Sequence, residues 1–334
     1  MKVIVSGSTG FIGSHICDRL QSEGVDIYSL ARNQRKFKDF DVKGKFVQCD
    51  FNSLKDEMLE ELPESVDAII HVAGTLFSHN PNDYYQMNVE RTLDFINMLK
   101  KKYEAQRVKL IFFSSIAAAG PSASGRAKSE SELENPVSHY GKSKLEAEKA
   151  LIAAAPEGWE VVIIRPPMVI GPRDPAFLEV FQIIGKKICP YLGVDGHKTK
   201  ISFVSVFDLV EVIHQSLNTE HDSSEPQVYY PCHPDIVEME ELNKMIQDSM
   251  GLKREFRAFI PLSFIKSAAY CVQFLSKFVD LGSGLTVDKT REMEVSPWIF
   301  SPQKSIDRLG VNYQYNLERT IDITLKDYRE RGWV

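Results

Sequence analysis

The amino-acid sequence predicts an α/β fold, a doubly wound parallel sheet flanked by helices, with a smaller, mostly helical lobe toward the C-terminus. Two features carry this reading. Short apolar runs alternate with helical stretches through the first half, and the first run passes through a glycine-spaced turn straight into a helical pattern. The 334 residues, 43% of them hydrophobic, suffice for a core larger than one small domain requires.

In order, Val3, Ile4 and Val5 form a strand that ends at Gly7, and Ile12, Ile16 and Leu20 follow at helical spacing. Residues 26–31, 45–48, 68–72, 109–114 and 160–164 repeat the strand pattern, each before a loop or helical stretch. Past Gly171 the pattern turns irregular at Pro172, Pro175 and Pro190, before a strand over residues 201–206 and a helix from Asp208. After Tyr230 the chain reads as mostly helical. The expected division is a nucleotide-binding domain of residues 1–170 with 201–230, and a substrate lobe of residues 171–200 with 231–334.

The net charge of −6, with Lys and Arg scattered along the chain, leaves no footprint for nucleic acid or anionic lipid. Five dispersed cysteines, Cys17, Cys49, Cys189, Cys232 and Cys271, form no metal-ligand set and suit a reducing compartment. With no signal-peptide pattern at the N-terminus, a cytoplasmic protein is expected. The most apolar stretch, residues 259–282, is interrupted by Pro261, Lys266, Lys277 and Asp280, and reads as a lobe helix, not a membrane span.

Gly7, Gly10 and Gly13 stand between strand and helix, where backbone amides and the positive helix end hold a pyrophosphate. At the end of the second strand, Arg32 replaces the carboxylate that would take ribose hydroxyls, followed by Arg35, Lys36 and Lys38. A guanidinium there pairs with a 2′-phosphate, so NADP(H) is favoured, with NAD(H) as the alternative. The competing reading has Arg32 merely capping a solvated loop.

Tyr140 and Lys144 lie four residues apart at the start of a helix and so share one face. A tyrosine that exchanges a proton with substrate needs its pKa lowered, and an adjacent ammonium favours the phenolate. Ser115 ends the strand over residues 109–114, where ligands bind an open parallel sheet, and is placed to hydrogen-bond the reacting oxygen; Ser114 is the alternative hydroxyl. His71, His139 and His197 read as a packed strand-end residue, a loop residue and an exposed turn residue.

Together, Gly7-x-x-Gly10-x-x-Gly13, His71-Val72-Ala73-Gly74, Asn88-Val89, Ser114-Ser115, Tyr140-x-x-x-Lys144 and the run from Arg165 to Pro172 resemble the extended short-chain dehydrogenase/reductases, the NAD-dependent epimerase/dehydratase family. The match continues through Phe203 to Asp208 and to the terminal Tyr328-Arg329-Glu330-Arg331-Gly332-Trp333. The resemblance implies a Rossmann-type domain. It implies that the glycines, Ser8, Thr9, Phe11 and Ile12 hold the pyrophosphate, that Asp50 and Phe51 lie by the adenine, and that Val72, Ala73, Gly74 and Ser114 line the nicotinamide side. Tyr140 would be the acid/base, Lys144 would also hold the ribose hydroxyls, Ser115 would orient the carbonyl, and the backbone from Pro166 to Val169 would face the carboxamide. Asn88 is expected to be structural. The helices over residues 90–99 and from Tyr140 suit a four-helix dimer interface, so a homodimer or a monomer is expected.

Departures from the sugar-nucleotide branch bear on substrate. Met168 and Ile201 stand where that branch places an Asn and an Arg on the diphosphate, and Ala119 where it places a Tyr; Arg173 or Lys200 are the available substitutes. The chain therefore looks nearer the dihydroflavonol-reductase-like and 3β-hydroxysteroid-dehydrogenase-like branch. The expected function is NADP(H)-dependent interconversion of a carbonyl and an alcohol on a largely apolar small molecule. That substrate would lie between the domain and a lobe containing Phe177, Phe181, Tyr191 and an apolar helix from Phe264 to Phe278, aromatics that serve equally as core. A nucleotide-sugar epimerase or dehydratase with tightly held NAD(P), and a non-catalytic NADP sensor, are the alternatives.

Overall fold

Val3, Ile4 and Val5 are fully buried at the middle of a seven-stranded, all-parallel sheet. The computed structural model describes residues 1–123, 125–253, 256–276, 285–295 and 297–334. Strands β1 (Lys2–Ser6), β2 (Asp26–Ala31), β3 (Lys45–Gln48), β4 (Ala68–His71), β5 (Lys109–Phe113) and β6 (Glu160–Ile164) are joined by Gln227–Tyr229 at the β6 edge. Across the sheet the order is Gln227–Tyr229, β6, β5, β4, β1, β2, β3. The order reverses between β1 and β4, so their C-terminal ends open a crevice.

Period-two alternation sends each strand's side chains to two separate cores. Val3, Val5, Ile70, Ile111 and Val162 meet Ile16 and Leu20 of helix α1 (Phe11–Ser22) and Leu209 and Ile213 of the helix Val206–Asn218. Ile4, Ile69, Leu110, Phe112 and Ile163 meet Phe95, Leu99, Leu151 and Trp159 on the other face. Leu309, Val311 and Tyr313 return from the C-terminal part of the chain to the first of these cores.

A third core lies in the lobe, where the helices Pro175–Gly185, Met239–Ser249 and Leu317–Glu330 bury Phe181, Ile246, Ile321 and Tyr328. Phe177, Phe181 and Tyr191 belong to this core. The expected apolar helix runs Leu262–Leu275, and Phe278 lies outside the described residues.

Two parts differ from expectation. The single strand over residues 201–206 is split: Lys200–Ile201 pairs with Val237–Glu238, Phe203–Ser205 pairs with Met168–Ile170, and neither joins the main sheet. Local apolarity cannot report which partner a strand finds. The strand Phe256–Ile260, read as helical, pairs in parallel with Ile188–Leu192.

The catalytic-face helix His139–Ala154 is tied to the sheet by a buried ion pair. Arg165, just past β6, donates to Glu148 through Nε at 2.9 Å and Nη2 at 2.5 Å, to Glu134 at 3.0 Å and to the Tyr230 hydroxyl at 3.2 Å. Both Arg165 and Glu148 are 2% exposed. Removing one partner strands a buried charge, so Glu148→Leu is expected to cost about 3–5 kcal/mol in urea denaturation, and adding Arg165→Met to recover most of it. A loss under about 1 kcal/mol would refute this account of how the helix is held.

Candidate active site

The turn after β1 is packed closely through its glycines. Gly7 has φ +68°, and a Cβ there would lie 2.9 Å from the Ala73 amide nitrogen. A Cβ on Gly13 would collide with the Gly7 carbonyl, so both glycines let α1 and β4 close on the turn. Gly10, the N-cap of α1, has no side chain to cap the helix, and no acid occupies the first turn. The first amides of α1, at Phe11, Ile12 and Gly13, are thus left to an outside acceptor. Ser8 is buried and donates to the Leu30 carbonyl at 3.0 Å, which leaves its backbone alone beside Thr9 in the turn.

The neighbouring strand ends complete the crevice. Arg32 is exposed past β2, and its guanidinium has no hydrogen-bond or ion-pair partner among the described residues, whereas Arg35 faces Asp39 at 3.6 Å. The Asp50 carboxylate accepts the Asn52 amide at 3.0 Å, and the Phe51 ring packs 5.5 Å from His71 and 5.2 Å from Phe95. Val72 and Ala73 donate to Ser6 Oγ at 3.1 and 3.3 Å. The Pro166 carbonyl accepts the Ile116 amide at 3.2 Å, and Val169 sits in the short strand beside Val204.

Ser115, Tyr140 and Lys144 meet at the end of β5. Ser115 caps the short helix Ile116–Ala119, its Oγ accepting the Ala117 amide at 3.1 Å. Lys144 is 4% exposed; its Nζ donates to the Phe113 carbonyl at 2.5 Å and lies 4.6 Å from the Phe112 ring centre. A Cβ on Gly74 would stand 3.6 Å from that nitrogen, so Gly74 lies beside the lysine.

The electrostatics correct one expectation. Lys144 does not lower the Tyr140 pKa here: burial pushes the phenol up, against the Ser115 hydrogen bond, with Glu292 and Tyr84 adding to the rise. The ammonium has turned to the Phe113 carbonyl and is itself pushed down to about 8 by burial. Ser114 Oγ is a buried polar atom with no partner among the described residues, at the strand end facing the crevice. The open helix amides, the glycine clearance and this unsatisfied hydroxyl fit an extended dinucleotide running from α1 to β5.

Several positions were not legible from spacing. Asp288, on the helix Val287–Met293, accepts the backbone amides of His139 at 2.7 Å and Tyr140 at 2.9 Å, and Glu292 accepts Ser138 Oγ at 2.7 Å. The lobe thus caps the very helix that carries Tyr140. An Asp and a Glu four apart on a helix are too common to signal this. Asn88, in the π-helical turn Gln86–Glu90, accepts the Thr75 amide at 2.8 Å and donates to Ser143 at 3.0 Å, a framework role. His71 bridges Ser6 at 2.7 Å and Thr92 at 3.0 Å, its pKa pushed down to about 3 by burial. His139 opens the helix instead of preceding it, and His197 is half-buried against Tyr191 and Phe259.

Met168 and Ile201 pack against the lobe core, and Ala119 is fully buried. Arg173 is engaged by Asp18 at 2.6 Å and His15 at 3.1 Å, and Lys200 faces Glu238 at 3.8 Å. Arg173 is therefore held against α1, whereas the exposed Lys200 pair is weak.

A buried ammonium with a depressed pKa costs stability. With a folded value of about 8 and an unfolded value near 10.4, the penalty is complete below pH 8 and vanishes above about pH 10. Lys144→Met is expected to raise the unfolding free energy by on the order of 2–4 kcal/mol at pH 7, less the lost Phe113 hydrogen bond, with the gain shrinking as pH rises. Thermal denaturation of both proteins across pH 6–10 checks this; a destabilised variant at pH 7 would show that the hydrogen bond outweighs the burial cost.

Comparison with known proteins agrees with the architecture. The model of the NAD-dependent epimerase/dehydratase family matches residues 3–230. The chain is 31% identical over 177 residues to the dTDP-6-deoxy-L-talose 4-dehydrogenase (NAD(P)(+)) of Kitasatospora kifunensis, an alignment spanning 52% of this chain and only 54% of that protein. It is 24% identical to the ceramide reductase of Caulobacter vibrioides over 346 aligned positions, covering 99% of this chain and 96% of that one. The solved UDP-glucuronic acid 4-epimerase of Bacillus cereus with NAD superposes over the full length of both chains with a TM-score of 0.77 at 18% identity, a likeness of fold. The chain belongs to the NAD-dependent epimerase/dehydratase family of extended short-chain dehydrogenase/reductases and is an NAD(P)-dependent enzyme.

Proposed function

We propose that this enzyme interconverts a carbonyl and an alcohol on a largely apolar small molecule, with NADP(H) held across the crevice from Arg32 to Ser114. The observation that carries the reading is that Lys144, one helical turn after Tyr140, reaches the end of β5 where Ser115 stands, close to Gly74 and the glycine turn of α1, while Arg173 is paired with Asp18. The amides of α1 would take the pyrophosphate, Arg32 the 2′-phosphate, Asp50 and Phe51 the adenine side, and Val72 to Gly74, Pro166 and Val169 the nicotinamide side. When bound, the nicotinamide supplies or removes the hydride.

The chain's own residues handle the oxygen and its proton. In reduction, the Tyr140 hydroxyl donates to the carbonyl oxygen and releases its proton as the alcohol forms. A phenol whose pKa burial raises is protonated at neutral pH, as this direction requires. Ser115 Oγ accepts from Ala117, so its hydrogen stays free to bond the same oxygen. The Phe113 carbonyl occupies one of three Lys144 donors, and the other two can serve ribose hydroxyls and the phenolate left behind.

A nucleotide-sugar epimerase or dehydratase with tightly held NAD(P) is the second reading, favoured by the 29% identity over 236 residues to the UDP-glucose 4-epimerase of Vibrio cholerae. Titration with NADPH and NADH by nicotinamide fluorescence separates the two. Arg32→Ala is expected to weaken NADPH about 10- to 100-fold and leave NADH nearly unchanged, the loss of a charge-assisted phosphate contact. Retained NAD that does not exchange would move the assignment to nucleotide-sugar chemistry.

Tyr140→Phe is expected to bind NADPH normally and lose about 100-fold or more in carbonyl reduction, and the wild-type rate to fall as pH rises through about 8 with the Lys144 charge. A variant with full function would instead indicate a nucleotide-sensing protein.

A further inference from the structure

The loop that follows Gly74 holds two apolar side chains in the open. Leu76 and Phe77 are 49% and 40% exposed, between the polar residues Thr75 and Ser78. Both ends of this loop are fixed. Asn88 accepts the Thr75 amide at 2.8 Å and donates to the Thr75 carbonyl at 3.2 Å. The Tyr84 hydroxyl accepts the Ser78 amide at 2.9 Å and donates to the Ser78 carbonyl at 3.2 Å, and Ser78 Oγ donates to Asp83 at 2.6 Å. Single hydrophobes scattered over a surface call for no explanation. Here two neighbours stand on backbone held from both sides, so a partner that covers them finds them already ordered.

Each fixed end adjoins one member of the reacting pair. At the first, a Cβ on Gly74 would stand 3.6 Å from Lys144 Nζ, and Asn88 also donates to Ser143, on the helix that carries Tyr140, at 3.0 Å. At the second, the ring of Tyr84 lies 5.9 Å from that of Tyr140, centre to centre. A chain advances at most about 3.6 Å per residue, so Leu76 lies within about 7 Å of Gly74, and Phe77 adjoins the residue that Tyr84 holds. Lys144 and Tyr84 are covered, whereas Tyr140 and Ser115 are only half-buried and can be reached from outside.

We propose that Leu76 and Phe77 receive the apolar part of the substrate and set the enzyme's preference for it, an inference that rests on the reaction proposed above. The reacting carbonyl must come within hydrogen-bond reach of Tyr140 and Ser115, so a substituent several carbons long reaches the loop after Gly74. Contact there removes apolar surface of both partners from water, a gain that grows with each methylene covered. A sugar hydroxyl in the same place would meet hydrocarbon and lose its hydrogen bonds to water. The substrate class is therefore a ketone or secondary alcohol whose reacting carbon bears a hydrocarbon chain or ring.

The test is the affinity of 2-octanol and 2-butanol for the complex with NADPH, followed by nicotinamide fluorescence. With the cofactor already reduced an alcohol cannot react, so the measurement reads binding alone. The wild type should bind 2-octanol more tightly than 2-butanol. Leu76→Ser/Phe77→Ser should weaken 2-octanol about tenfold and leave 2-butanol within about twofold, whereas Leu76→Met/Phe77→Leu should keep the wild-type preference. Both variants should retain NADPH affinity and melting temperature, since the two side chains are exposed. An unchanged preference in the serine variant would overturn this inference and leave the reaction assignment standing. Equal loss of both alcohols, unrescued by the conservative pair, would reduce the loop to a structural role and overturn it as well. Absence of binding by either alcohol to the wild type would overturn the reaction assignment and this inference together.

Discussion

The site depends on one ammonium group kept inside the protein. Lys144 lies against the last carbonyl of β5 and the ring of Phe112, where burial holds its pKa well below that of a free lysine. A charge in such a place costs stability, offset in part by the hydrogen bond to Phe113. Its position follows from the sheet: β5 ends beside β4, β4 carries Gly74 to the lysine, and β1 brings the glycine turn against Ala73.

Holding that lysine means holding its helix, and the chain does so from both ends of the sequence. Glu148 locks the middle of the helix to Arg165 at the end of β6. Asp288 and Glu292, roughly half the chain away, take the amides and hydroxyl at the helix start. An acid at a helix N-terminus is stabilising in itself. Here it also couples the packing of the helix Val287–Met293 to the place of Tyr140.

The apolar character of the chain divides in the same way. Met168 and Ile201 turn their apolar side chains to the lobe core, and Arg173 is drawn to Asp18 on α1. On the outside, the stripe from Phe264 to Leu275 is apolar where a helix of this kind ordinarily shows polar residues to water.

The sequence by itself determined the alternating α/β order, the glycine turn and the grouping of Ser115, Tyr140 and Lys144. Each rests on local rules: strand and helix periods, the clearance a glycine provides, and a four-residue spacing on one helical face. Only the tertiary structure decided the cap supplied by Asp288, the pairing of Phe256–Ile260 with Ile188–Leu192, and the direction of the Tyr140 and Lys144 pKa values. These depend on what distant segments bring to one place, and on how much water they exclude there. Neither quantity is carried by neighbouring residues.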